Sequence, residues 1–433
     1  METDLRRNPG LLKLELYCRG AHIDDSLHVT DEGGRPILRT RAGLGSGLEL
    51  ILPDDIWTNV PVTEHFVRHS PYVVRRRPDG SVWIDRGREP IAPVRLAPRP
   101  SWYDRKTSTG KPMTMIGTLQ GTYLGIYPSK VCEYWLDKPE RTNCKFCSVG
   151  LNLGADDAEE KKIREVVEVA AAARDESNVT YIDFNTGHYE GDTYLDILEP
   201  YIRAVKEATG CLIGIQTPPH HDLTRYERLK EMGVNRVSFC FEIFDERIFR
   251  EICPGKHQRY GLPRYLEAVE YCARLGKGGG LSFEPWVSNG EIIAGLEPPE
   301  SSIRAIDWIT SVGAIPTVCV FRPLKGTDYE HLPPPTTEEM IPVFAAQYEL
   351  CMKRGLPIGI TPNIHVSLVL LPWESRWLVP RSVRRRYALK EAKLAAMRRV
   401  FSRHLYDTLR RHDEKRREEG LDAAVAAGAA AAS

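Results

Sequence analysis

From Leu11 to about Lys111, apolar residues alternate with polar ones in short runs, as in Leu12-Lys13-Leu14-Glu15-Leu16 and Ser81-Val82-Trp83-Ile84. Turn formers such as Pro78-Asp79-Gly80 separate the runs. Period-two alternation broken by Pro, Asp and Gly is hairpin chemistry, so residues 1–112 are expected to form a β-rich N-terminal domain.

After Tyr103 the rhythm changes to apolar runs alternating with helical periodicity. Strands are predicted at Leu124–Tyr127, Val179–Asn185, Leu212–Gln216, Arg236–Phe241, Gly280–Val287, Pro316–Phe321 and Pro357–Ile360. Helices are predicted between them at Glu159–Arg174, Thr193–Thr209, Asp222–Met232, Arg264–Leu275, Pro299–Ser311 and Thr337–Arg354. Repeated βα units demand a parallel sheet with right-handed crossovers, and this many in series favour an α/β fold of the (β/α) TIM-barrel type, complete or partial. The barrel is placed over residues 113–378, with its working face at the C-terminal ends of the strands. An open doubly wound sheet is the alternative.

Residues 379–433 read as a helical extension. Arg381–Arg417 is basic and amphipathic, with Tyr387, Leu394, Met397, Phe401 and Leu405 at helical spacing, and the Ala-rich end Ala423–Ser433 has little to pack. The helix is expected to dock on the barrel with its arginines in water. Contact with nucleic acid or an anionic membrane is the other reading.

The chain carries 59 Lys plus Arg against 59 Asp plus Glu, so the molecule as a whole exerts no strong field on a polyanion. Met1–Gly10 lacks a secretory apolar run, and no window approaches the roughly 20 apolar residues of a membrane span. A cytoplasmic protein is expected. Its ten cysteines are then thiols or metal ligands rather than a disulfide framework.

Three of these cysteines follow the first predicted barrel strand. Cys132, Cys144 and Cys147 are separated by eleven and then two residues. Three thiolates with no fourth ligand close in sequence suit an iron–sulfur cubane that keeps one iron free for another ligand. A structural zinc site wants four protein ligands, and His188 or Cys253 could complete one.

This constellation resembles the radical S-adenosylmethionine (SAM) superfamily, in particular the barrel units of biotin synthase and related radical maturases. Phe146 matches the aromatic residue that precedes the family's last cysteine, whereas the first gap is longer than the usual three residues. The resemblance implies a 4Fe-4S cluster on Cys132, Cys144 and Cys147, with SAM chelated at the free iron. It implies backbone contacts to SAM at Thr186-Gly187-His188, polar contacts from Gln216 and Glu242, and a basic residue near the SAM carboxylate. Arg259 is preferred for that role over Lys256 because guanidinium pairs with carboxylate in two hydrogen bonds; Glu242 could instead pair with Arg259 structurally. Asn289–Glu297 resembles the family's fifth-strand end, and Thr317–Thr327 its sixth strand and following loop.

The resemblance further implies reductive cleavage of SAM, with a 5′-deoxyadenosyl radical taking hydrogen from a small-molecule substrate of cofactor or natural-product biosynthesis. An electron donor such as flavodoxin or ferredoxin would be needed. Cys240 and Cys319 could serve a second cluster, though core packing suits them better, as it does Cys211, Cys272 and Cys351. His188, Tyr189, Glu284, Trp286, Arg322 and His365 are candidates for the substrate pocket. A zinc-stabilised barrel that binds or modifies RNA, and an iron–sulfur sensor without catalysis, are the competing readings.

Overall fold

The computed structural model describes residues 1–27, 47–128, 130–136, 140–276 and 285–419. Glu284, residues 280–284 of the predicted fifth strand and the Ala-rich end lie outside them. The N-terminal sheet contains β1 (His22–Ile23), β2 (Leu48–Leu52), β3 (Ile56–Val60), β4 (Tyr72–Arg76), β5 (Val82–Arg86) and β6 (Glu89–Leu96), in the spatial order β1-β4-β5-β6-β2-β3. Pro78-Asp79-Gly80 makes the turn between β4 and β5, where the Asp79 carboxylate accepts from the Ser81 N–H at 2.9 Å and Gly80 adopts φ +86°.

The run Leu12-Lys13-Leu14-Glu15-Leu16 is not a strand but the middle of helix α1 (Pro9–Arg19). Asn8 caps it, accepting from the Leu11 N–H at 2.9 Å, and Pro9 fills the first turn, where a missing N–H costs nothing. Alternation misled because the helix is buried on two sides. Leu12 and Leu16 enter the N-terminal core, while Leu11, Leu14 and Tyr17 enter the barrel core. Lys13, fully buried, reaches Glu374 at 2.8 Å and the Val366 carbonyl at 3.1 Å. The helix is thus a wedge between the two sheets.

The second sheet runs in sequence order: β7 (Thr118–Leu119), β8 (Leu124–Ile126), β9 (Tyr181–Asn185), β10 (Leu212–Thr217), β11 (Val234–Glu242), β12 (Val287–Ala294) and β13 (Ile315–Val320). β7 is antiparallel to β8, and β8 to β13 are parallel, which makes a partial (β/α) barrel of six parallel strands. The crossovers carry α2 (Val149–Asn152), α3 (Ile163–Ser177), α4 (Tyr194–Thr209), α5 (Arg225–Glu231), α6 (Glu246–Ile252), α7 (Pro254–Arg259), α8 (Gly261–Leu275) and α9 (Pro299–Val312). After β13 comes α10 (Thr337–Arg354), opened by a capping box between Thr336 and Glu339.

Two strand expectations need correction. β12 is described over Val287–Ala294 and so runs beyond the expected end at Val287, which puts Asn289-Gly290-Glu291 within the sheet instead of at a strand end. Pro357–Ile360 forms no strand: Pro357, Pro362 and Gly359 at φ +68° break any ladder. The chain instead closes the open side of the barrel, with the Thr122 N–H donating to the His365 carbonyl at 3.0 Å and Asn59 N–H to the Ser367 carbonyl at 2.7 Å.

The C-terminal extension is helical, as α11 (Arg381–Arg386) and α12 (Ala388–Glu418), separated at Tyr387. Phe401, Leu405 and Leu409 of α12 pack on Tyr123, Tyr181 and Leu212, next to the N-terminal ends of β8, β9 and β10. The helix therefore lies at the end of the barrel opposite the cysteine loop. No described helix is long and apolar enough to cross a membrane.

Candidate active site

The C-terminal strand ends enclose an upper cavity of about 140 Å³. Cys132, Cys144 and Cys147 line it together, with Thr186, Gly187, His188, Gln216 and Glu242. Close packing brings the cysteine loop there. A Cβ at Gly187 would come within 2.8 Å of the Cys132 Cα, and one at Gly255 within 2.7 Å of the Thr142 carbonyl oxygen. Two glycines, one after β9 and one on α7, thus give the loop its seat. The His188 N–H donates to the Cys132 sulfur at 3.4 Å, and Tyr265 bonds the far side of the imidazole at 2.8 Å. Burial, aided by the charges of Lys256 and Arg259, pushes His188 well below its ordinary value, so the ring is neutral.

The thiols differ electrostatically. Burial pushes Cys132 up to about 11 and Cys147 up to about 12. Cys144 is lowered, first by a hydrogen bond from the Cys253 thiol and then by the Lys256 ammonium, against its own burial. Cys253 does not line the cavity; it supports Cys144 from behind. Among the described residues, no three of Cys132, Cys144, Cys147, Cys253 and His188 bring their ligand atoms within 4.8 Å of one another. Around one zinc with bonds of about 2.3 Å, sulfurs sit about 3.8 Å apart. The set forms no ready-made single-ion site, and three thiols around one cavity suit a polynuclear cluster held at separate corners.

The basic residue of the cavity is Lys256, not Arg259. Lys256 is buried, 3.1 Å from Glu242 and 2.6 Å from the Cys240 carbonyl. Arg259 points elsewhere, to Asp192 at 3.0 Å, the Tyr260 hydroxyl at 3.2 Å and Glu133 at 3.5 Å. Nor does Glu242 pair with it. Register shifts between Cys240 and Glu242, and Glu242 adopts φ +70°, a costly conformation for a non-glycine residue that aims its carboxylate into the site.

Below this cavity lies a second of about 960 Å³, running from the strand interiors to α12. Tyr123, Tyr181, Trp286, Trp373 and Phe401 give it an aromatic lining. The two cavities share Asn185, Gln216 and Glu291. At that junction Glu291 accepts from the Ser238 hydroxyl at 3.0 Å and lies 3.8 Å from Arg236. Burial, reinforced by Glu242 and opposed by Arg236, pushes its carboxyl up to about 7. Arg236 also donates to Asp183 at 3.1 Å and to Asn289 at 3.1 Å. Gly214 makes room, since a Cβ there would overlap the Tyr181 hydroxyl at 1.8 Å.

Of the other pocket candidates, Trp286 and His365 line the lower cavity. Tyr189 hydrogen-bonds Tyr127 at 3.1 Å beneath the cysteine loop. Arg322 holds the N-terminal sheet, donating to Asn59 Oδ1 at 2.9 Å and to its carbonyl at 2.5 Å. Cys240 and Cys319 both line the upper cavity, with the Cys319 thiol 3.8 Å from Glu291. Cys211, Cys272 and Cys351 are core.

Residues 141–297 match the family described as the Radical SAM superfamily. The match begins after Cys132 and contains Cys144, Cys147, Gly187, Gln216 and Glu242. A relative, bacteriochlorophyllide c C-7(1)-hydroxylase of Chlorobaculum limnaeum, is 26% identical over 300 residues, which are 64% of this chain and 72% of the relative. Among solved structures, methylornithine synthase aligns at 17% identity over 52% of this chain and 61% of that one, with a TM-score of 0.40. The FeFe-hydrogenase maturase HydG of Carboxydothermus hydrogenoformans aligns at 18% identity over 53% and 51%, with a TM-score of 0.41. The chain therefore spans less than two thirds of the length of these two structures.

Proposed function

Because the chain belongs to the radical SAM superfamily of enzymes, we propose that Cys132, Cys144 and Cys147 hold a 4Fe-4S cluster, that SAM fills the rest of the upper cavity, and that the lower cavity takes the substrate. When bound there, the cluster and SAM together supply a 5′-deoxyadenosyl radical able to remove hydrogen from an unactivated C–H bond. The chain's own groups position and insulate that chemistry. Glu242 and Lys256 offer one anion and one cation side by side, the complement of the ammonium and carboxylate of an amino-acid zwitterion. Gly187 and Thr186 present backbone to the same ligand, and Gln216 and His188 offer neutral polar atoms.

The observation that carries the reading is the junction. The two cavities meet at Asn185, Gln216 and Glu291, so a ligand in the upper one abuts a ligand in the lower one. Glu291, with a carboxyl near 7, can hold or release a proton at the meeting point at neutral pH.

The lower cavity stands at the upper end of the roughly 300–1,000 Å³ typical of small-molecule sites. Its size and aromatic walls suit a large, flat, mostly apolar substrate. The Chlorobaculum relative is named for a bacteriochlorophyllide, and a macrocycle of that class is the substrate we propose. A one-electron donor such as flavodoxin or ferredoxin would complete the system.

Anaerobic incubation of reduced, iron-loaded protein with SAM tests the reading. Release of 5′-deoxyadenosine by the wild type, abolished in Cys144→Ala and Cys132→Ala, is expected. Release unaffected by either substitution would contradict the cluster assignment, and a loaded cluster without any release would make the protein a sensor.

A further inference from the structure

The charge of this chain balances overall but not locally. Between Arg381 and Tyr406 there are nine Lys or Arg residues and one acid, Glu391. Among the described residues, Arg385, Arg386, Lys393, Arg398, Arg399 and Arg403 form no salt bridge with a carboxylate, and all six are exposed. They form a one-sign patch on a chain that carries no net charge as a whole.

The same segment exposes apolar side chains. Leu389 is 89% exposed, Val400 53% and Met397 38%, although α12 already buries Leu394, Phe401, Leu405 and Leu409 against the barrel. At 100° per residue, Leu389, Ala396 and Val400 fall on one strip, roughly opposite the buried one, and Lys393 and Arg403 flank it. A second apolar strip bordered by unpaired cations is the arrangement of a helix that lies in a membrane interface. Lys393, Ala396, Met397 and Val400 also line the lower cavity, so the strip runs along its rim.

We propose that the α11–α12 face docks on a bilayer carrying anionic headgroups and sets the mouth of the lower cavity against the lipid. The cations match the headgroups and the aliphatic strip enters the acyl boundary. A large apolar substrate, which partitions into lipid, then reaches the cavity without crossing water; this last step rests on the substrate reading above, whereas the docking does not. A single-stranded RNA site would interleave its cations with aromatic rings on which bases stack. Here the large apolar residues exposed between Arg386 and Arg403 are the aliphatic Leu389, Met397 and Val400, while Tyr387 is half-buried and Phe401 buried.

Co-sedimentation of the full-length protein with vesicles tests the proposal, without substrate or turnover. At about 0.1 M NaCl the protein should pellet with phosphatidylcholine vesicles containing about one-third phosphatidylglycerol and stay in solution with pure phosphatidylcholine. Arg399→Glu/Arg403→Glu should weaken the partition by about tenfold or more. Leu389→Gln, which keeps the charge, should also weaken it, with an unchanged circular dichroism melting curve. Cys144→Ala should pellet like the wild type, which separates docking from the cluster assignment. Failure to prefer anionic vesicles would overturn the proposal. So would Leu389→Gln pelleting like the wild type while polyuridylate binds the protein, since that pattern marks a simple polyanion site.

Discussion

The Lys256 ammonium stands 3.1 Å from the Glu242 carboxylate across the crossover that joins β11 to α7, and both side chains face the cavity of the cysteine loop. Burying two charges costs several kcal/mol each, and such a pair persists where each partner satisfies the other. Lys256→Met should therefore leave a buried, uncompensated carboxylate and destabilise the protein by roughly 3–5 kcal/mol. Lys256→Met/Glu242→Gln should restore much of that loss. Denaturant unfolding of Lys256→Met, Glu242→Gln and the double variant measures it, and a double variant as unstable as the sum of its singles would rule the coupling out.

Gly187 is a second dependence of the loop on its neighbours. The Cβ of Gly187→Ala would press on the Cys132 backbone, which has to move. Iron bound per chain after anaerobic reconstitution should fall severalfold, with far-UV circular dichroism unchanged. Full iron loading would show that Cys132 does not need its present position.

In the proposed assignment Cys253 tunes the cluster rather than binding it. Its thiol hydrogen-bonds the Cys144 sulfur from outside the cavity, and such donors stabilise the more negative, reduced cluster. Cys253→Ala should keep its iron but show a lower reduction potential in an EPR-monitored titration. Loss of iron would instead make Cys253 a ligand.

Much of this was legible in the chain. Glycine, cysteine and strand-end positions from Cys132 to Glu242 are spelled by local chemistry, and the βα rhythm placed α4, α9 and α10 nearly to the residue. What escaped is set by tertiary packing. Lys13 lies in a helix wedged between two cores, so its neighbours read as alternating whichever way the chain coils. Lys256 and Arg259 are three residues apart on a short helix, and only the crossing of α7 over β11 decides which one turns inward. The lower cavity did leave a signal: Tyr181-x-Asp183-x-Asn185, Arg236-x-Ser238 and Asn289-x-Glu291 place polar residues in alternation with Ile182, Phe184, Val237 and Gly290. Such a pattern inside a barrel marks an interior that is lined rather than filled.

Glu291 gives that interior a pH dependence. Its carboxyl sits at about 7 in the folded protein against an ordinary 4.5, so folding favours the protonated form. Stability from this group is full below pH 4.5 and declines as pH rises to 7, by about 3 kcal/mol in all. Glu291→Gln removes the titration. The variant should gain in unfolding midpoint over the wild type at pH 8 by several degrees more than it does at pH 5, and a difference independent of pH would place the carboxyl at its ordinary value.

The proposed 4Fe-4S cluster on Cys132, Cys144 and Cys147, with SAM bound at it, is tested most directly by low-temperature EPR of the anaerobically reduced protein before and after SAM is added. A 4Fe-4S signal whose shape changes with SAM, and which is lost in each of the three Cys→Ala variants, is the expected result. Stoichiometric zinc with no such signal, or a signal indifferent to SAM, would contradict it.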